Sequence, residues 1–260
     1  MFDIALFLPL FLTLPVLILS LQCYDCGESI KLNYTVTSET IPSISSRCRL
    51  INASVCSIEI IWDLKTGSSI INVDGSTGLT GRDIVPNTLG VILTMAIRSN
   101  NITREHNHFL YYDCNTIEKA NDEINLKKIL RSLVIEEQFQ QEIAPLIQII
   151  SPFDAKTADC LDLRHGVFDC PRKDLDTCSR CLIVMNETTF DQEVCATCPF
   201  ESEPENMVAR WKTFFFSNQT QDSDSTFLTC QQKGCNSFDN TNRIKRASKI
   251  TFNFDEYFQN

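Results

Sequence analysis

The distribution of apolar and polar positions divides the chain into segments of different kinds. From Ile4 to Leu21 no charged side chain occurs, and Pro9 and Pro15 interrupt the run. The run ends Leu19-Ser20-Leu21-Gln22-Cys23, which predicts a signal peptide over residues 1–20, cut after the small Ser20. Its flanking charge is Asp3 rather than a cation, so a retained anchor is the alternative. Further on, Ser57-Ile-Glu-Ile-Ile-Trp-Asp-Leu64, Val91-Ile-Leu-Thr-Met-Ala-Ile97 and Trp211-Lys-Thr-Phe-Phe-Phe216 are short runs of β-branched and aromatic residues. Each predicts a strand. Gly75-Ser-Thr-Gly-Leu-Thr-Gly81 reads as a loop tip; as a phosphate cradle it lacks the required Lys, since Arg82 follows.

Between Asp122 and Ala144 the pattern changes. No Gly or Pro occurs, and Leu126, Ile129, Leu130, Leu133, Ile135, Phe139, Ile143 and Leu146 recur close to helical spacing. This predicts one amphipathic helix, capped by Asn121 or Asp122, with Glu123 and Lys127 paired one turn apart. Glu136, Glu137 and Glu142 on its polar face favour packing against neighbouring modules over a membrane surface.

Export decides how the cysteines are read. All 13 lie after the expected cut, at Cys23, Cys26, Cys48, Cys56, Cys114, Cys160, Cys170, Cys178, Cys181, Cys195, Cys198, Cys230 and Cys235, and in an oxidising compartment they form disulfides. Five fall between Cys23 and Cys114 and eight between Cys160 and Cys235. We therefore expect a first cysteine-rich module at 21–116, a helical connector at 117–157, a second module at 158–238 and a C-terminal tail at 239–260. Five is odd, so one thiol of the first group pairs across modules, joins two chains in a disulfide-linked dimer, or stays free. Sequons at Asn33, Asn52, Asn101, Asn186 and Asn218 agree with export and place glycans there. No second apolar stretch suggests a lipid anchor. With 33 acidic against 23 basic residues, the net charge of −10 excludes the basic footprint of a nucleic-acid binder.

The ends of the two groups carry a family resemblance. Leu21-Gln22-Cys23-Tyr24-Asp25-Cys26 resembles the opening of the three-finger superfamily, which includes the urokinase receptor, lymphocyte antigens and snake toxins. Cys230-Gln-Gln-Lys-Gly-Cys235-Asn236 is similar to its close, and Cys114-Asn115 ends the first group the same way, with Phe109 where the partner cysteine would stand. Thr229 replaces an adjacent cysteine common in the family, and nothing at Cys160 repeats the opening. The resemblance implies mainly β, small disulfide-rich modules, recognition of a protein through loop tips, and no cofactor. The connector helix is foreign to that pattern.

Candidate chemistry is sparse. Cys178-Ser-Arg-Cys181 and Cys195-Ala-Thr-Cys198 have the spacing of a four-thiolate zinc site, but outside the cell such thiols oxidise to disulfides. Glu105-His106-Asn107-His108, next to the sequon at Asn101, reads as an exposed loop. It would hold a metal only on a strand that aims both rings to one face, and no third or fourth ligand is evident; His165 stands apart. Asp222 with Asp224, and Glu201 with Glu203 and Glu205, read as solvated loops rather than an acid–base pair. Arg243-Ile-Lys-Arg246 matches a basic processing site in a solvated tail. The reading is a secreted, glycosylated, disulfide-stabilised protein that binds an extracellular protein or receptor and is not an enzyme. The alternative is a secreted metal-binding or hydrolytic enzyme using the histidines and unpaired thiols.

Overall fold

The structure is a computed structural model and describes residues 20–76, 87–98, 104–148, 159–166, 170, 178–189, 191–199 and 205–259. It is mainly β. The strands are β1 (Leu21–Asp25), β2 (Ile30–Leu32), β3 (Arg49–Ala53), β4 (Val55–Asp63), β5 (Ser68–Ser76), β6 (Thr88–Arg98), β7 (Arg104–Cys114) and β8 (Leu133–Glu137). These are followed by β9 (Leu163–His165), β10 (Cys181–Thr188), β11 (Gln192–Thr197), β12 (Glu205–Phe215), β13 (Thr220–Cys230) and β14 (Ser248–Phe252). Helices are α1 (Glu123–Ser132), α2 (Phe238–Arg246) and α3 (Phe254–Gln259), with one π-helical turn at Phe139–Ile143. The three runs expected as strands form the bodies of β4, β6 and β12.

One sheet of ten strands runs through both cysteine groups, in the order β2-β5-β4-β7-β6-β12-β13-β10-β11-β9, and small pairs β1-β3 and β14-β8 flank it. The period-2 pattern sets its buried face: Cys56, Ile58, Ile60 and Trp62 of β4 point inward, and the Trp62 indole N–H donates to Val36 O at 2.8 Å. The seam between the groups is β6 on β12, antiparallel from Thr88 opposite Phe215 to Arg98 opposite Glu205. The two halves therefore run head to tail, the hairpin end of one beside the disulfide end of the other.

At the disulfide ends the halves correspond in one disulfide and the strand pair beside it. Cys23 bonds Cys56, which lies opposite Cys114 across β4 and β7; Cys160 bonds Cys181, which lies opposite Cys230 across β10 and β13. A fully buried asparagine braces each end. Asn121 accepts from Tyr24 N at 3.0 Å and donates to Tyr24 O, Ser57 O and Asp74 O. Asn236 accepts from Leu161 N at 2.9 Å and donates to Leu161 O and Leu182 O. Tyr24 and Leu161 each follow the first cysteine of their knot, and Ser57 and Leu182 each follow the second.

This correspondence corrects the placing of the first group's end. Asn115 is an exposed residue bonded to Asn87, and Asn121 is the counterpart of Asn236. Buried Ala120, not a cysteine, precedes Asn121 where Cys235 precedes Asn236. Cys114, the counterpart of Cys230, is consequently the free thiol.

The expected continuous helix breaks into three pieces. Asp122 does cap α1, its carboxylate accepting from Asn125 N at 2.7 Å. Glu123 turns to Ser45 rather than to Lys127, whose ammonium lies 3.9 Å from Glu39. After Ser132 the chain extends as β8, because residues 248–252 offer it a strand to pair with, from Leu133 opposite Phe252 to Glu137 opposite Ser248. That partner lies more than a hundred residues away, so local periodicity could not announce it. Residues 239–260, expected as a tail, accordingly contain most of α2 and all of β14 and α3. Phe216 joins Phe252 and Tyr257 there at ring distances of 5.2 and 4.7 Å. Arg243–Arg246 sit in α2 with Ile244 fully buried, a shape that does not offer the extended segment a protease needs.

Candidate functional site

Twelve cysteines close six disulfides: Cys23–Cys56, Cys26–Cys48, Cys160–Cys181, Cys170–Cys195, Cys178–Cys198 and Cys230–Cys235. None crosses between the groups. The two Cys-x-x-Cys pairs are distributed over three different bonds, so neither a four-thiolate zinc site nor a thiol-exchange pair exists at 178–198. Cys114, counted above among the disulfide candidates, is fully buried at the end of the interior strand β7, and a dimer through it would require the packing there to open.

The hairpin turns lie away from these knots. In the first half the turn after β4 and the start of β7 come together around a cleft of about 480 Å³, lined by Asp63, Lys65, Thr66, Arg104, Glu105 and Asn107. The turn is rigidly made: Asp63 accepts from Lys65 N, Thr66 N and the Thr66 hydroxyl. Burial works to raise the Asp63 carboxyl, and the Thr66 and Lys65 hydrogen bonds outweigh it and hold it below its usual range. The Lys65 and Arg104 side chains remain exposed at the rim. In the second half the equivalent places are the β10–β11 connection and the turn at 216–219.

A second group lies on the other side of β7. His106 and His108, two apart on one strand, project to the same face, with ring centroids 5.8 Å apart. Glu137, the last residue of β8, completes the group: one ligand atom from each of the three residues lies within 4.8 Å of the others. It is the one such group of three among the described residues. Glu137 Oε1 stands 3.0 Å from His106 Nε2, while Oε2 accepts from Phe139 N at 2.6 Å. His108 Nε2 is buried with no hydrogen-bond partner, and the buried His106 Nε2 has Glu137 Oε1 beside it but poorly aligned. Burial pulls the His108 imidazole down to about 4, so it is neutral at ordinary pH. For Glu137, burial works upward, but the His106 ring and the Phe139 N–H prevail and keep it ionised. The sequence predicts an exposed loop for the two histidines, whereas they lie on β7 with His106 buried, and it places Glu137 on the solvated face of a helix. His165 is exposed on β9, apart from the group.

Of the acidic residues read as solvated loop, Asp224 proves to be structural. It lies on β13, receiving Arg210 Nε at 3.0 Å and Nη2 at 2.8 Å, with Lys212 Nζ at 3.2 Å. Arg210 Nη1 also donates to Lys245 O and to Ser248 O and Oγ, so this buried cation holds the C-terminal segment against the sheet. Asp222 is also on β13 and Glu205 on β12; Glu201 and Glu203 lie outside the described residues. Among the sequons, Asn33, Asn52 and Asn218 are exposed, whereas Asn186 is half-buried on β10 and accepts from the Ser225 hydroxyl at 2.6 Å. Asn101, residues 1–19 and the loop at 77–81 lie outside the described residues.

No family model matches the chain, and no curated protein matches it. Among the described residues no helix is long and apolar enough to cross a membrane.

Proposed function

We propose that the protein is a secreted glycoprotein whose two divergent three-finger-like modules present hairpin tips to an extracellular protein partner. Six disulfides suit an oxidising compartment, and the matched knots with their bracing asparagines support the kinship of the two halves with that superfamily. The observation that carries the recognition role is the charged cleft at the β4–β5 tip. It sets Lys65 and Arg104 beside Asp63 and Glu105, at the opposite end of β4 from the Cys23–Cys56 bond that anchors that strand covalently. Such anchoring reduces the ordering cost of binding, because the tip already has its bound shape. A cleft of mixed charge suits a polar peptide segment bearing both signs.

The test is binding of labelled, purified glycoprotein to intact cells. Saturable binding is expected, weakened at least about tenfold by the double change Lys65→Glu with Arg104→Glu, since reversing rim charges places like charges in contact. The melting temperature of that variant should be unchanged. Saturable binding indifferent to the double change would move the recognition surface elsewhere; its complete absence on all cells tried would count against the role itself. The competing reading, a metal-binding protein, draws on the His106, His108 and Glu137 group.

A further inference from the structure

We propose that His106, His108 and Glu137 form a binding site for one divalent transition-metal ion of zinc type, which ties β8 to β7. The donor set is two imidazoles and a carboxylate, the ligands zinc takes where it keeps a further position for water. Two features point to a ligand beyond proximity. His108 Nε2 is buried with no hydrogen-bond partner, and His106 Nε2, on a ring only 7% exposed, faces Glu137 Oε1 at 3.0 Å without the alignment of a hydrogen bond. Nε2 of a neutral ring offers a lone pair, and buried polar atoms are ordinarily satisfied. The carboxylate, for its part, is already oriented: Phe139 N–H holds Oε2, leaving Oε1 to face the rings. Such outer support is what fixes a metal-binding carboxylate.

The donor atoms lie at most 4.8 Å apart. Ligands on one zinc ion at about 2.0–2.1 Å sit about 3.4 Å apart in a tetrahedron. Rotation of imidazole and carboxylate side chains covers that difference. Because β8 also pairs with β14, an ion here would fasten the connector and the C-terminal segment to the sheet together.

The test uses the full mature chain, stripped with a chelator and titrated with zinc alone. One equivalent is expected to bind, with a raised melting temperature and slower amide exchange at 133–137 and 248–252. Cobalt substitution should give a spectrum of nitrogen and oxygen ligands without thiolate bands. His108→Gln and, separately, Glu137→Gln should each weaken zinc by more than the about 10- to 100-fold typical of losing an outer-shell partner. His165→Ala should not. His108 is less buried than His106, so its variant is the one expected to fold; circular dichroism checks this. No stoichiometric binding at micromolar zinc, or binding retained in both site variants, overturns the proposal. Neither result bears on recognition at the β4–β5 tip.

Discussion

Asp224 shows what a single buried charge contributes. Burial alone would raise its carboxyl, but the hydrogen bonds and charge of Arg210, with the charge of Lys212, prevail and hold it below the ordinary value. A depressed folded pKa gives stability that is fully present above about pH 4 and lost as pH falls through the folded value. Urea melts between pH 7 and pH 3 should show this acid-side loss. Arg210→Ala should destabilise the protein by about 3 kcal/mol at neutral pH, since it leaves the buried carboxylate with Lys212 alone, and should flatten the acid limb. Cys114 supports a second prediction at the same scale. If Ala120 occupies the place of a lost cysteine, Ala120→Cys should form a disulfide with Cys114, visible in a nonreducing peptide map. So short a loop should add about 2 kcal/mol in denaturant unfolding, with Ala120→Ser, which cannot form the bond, adding none.

At the scale of elements, β6 depends on a residue with no side chain. Gly90 lies opposite Tyr111 on β7, and a Cβ there would sit 1.8 Å from the Tyr111 ring. The ring lies across the glycine and covers its backbone, a pairing that compensates the weak strand propensity of Gly. Gly90→Ala should therefore cost about 1–3 kcal/mol in thermal or urea melts, and Tyr111→Thr in the same chain should recover part of that loss. A loss independent of residue 111 would place its cause elsewhere. The connector illustrates the opposite case. Asp122, Leu126 and Ile129 behave as their spacing predicts, with α1 capped by the first and buried through the others. Val134 and Ile135 fall within the span read as helix, yet β14 recruits them. For a β-branched pair the pleated strand costs little, and the ladder supplies the bonds the helix would have given.

For the whole molecule, closure of the disulfides within each group and continuity of the sheet across them are separate facts with separate consequences. A nonreducing peptide map should yield no bond between residues before 115 and residues after 159; one such bond would contradict the pairing. The seam of β6 on β12 is made by backbone hydrogen bonds along eleven paired positions, so the halves should not melt independently. One calorimetric transition is expected, and two well-resolved ones would show that the seam is weaker than its length suggests. Reduction should lower the midpoint of the whole chain rather than of one half, because both knots anchor strands of the same sheet.

How much of this was legible beforehand differs by feature. Strand cores at 57–64, 91–97 and 211–216, the Asp122 cap, the division into two cysteine groups and the oddness of the first depend on neighbours within a few residues or on counting, and the chain states them directly. The spacing of His106 and His108 gave the condition that they share a face if on a strand, but not that they lie on a strand rather than in an exposed loop. What required the tertiary structure were the contacts made across long separations: Glu137 beside His106, Asn121 rather than Asn115 at Tyr24, Arg210 on Asp224 and on Ser248, and β14 on β8. Side-chain periodicity records which way a residue faces, but it carries no information about which distant segment will face it. Those partners are chosen when the sheet closes, by burial and hydrogen bonding summed over the whole chain.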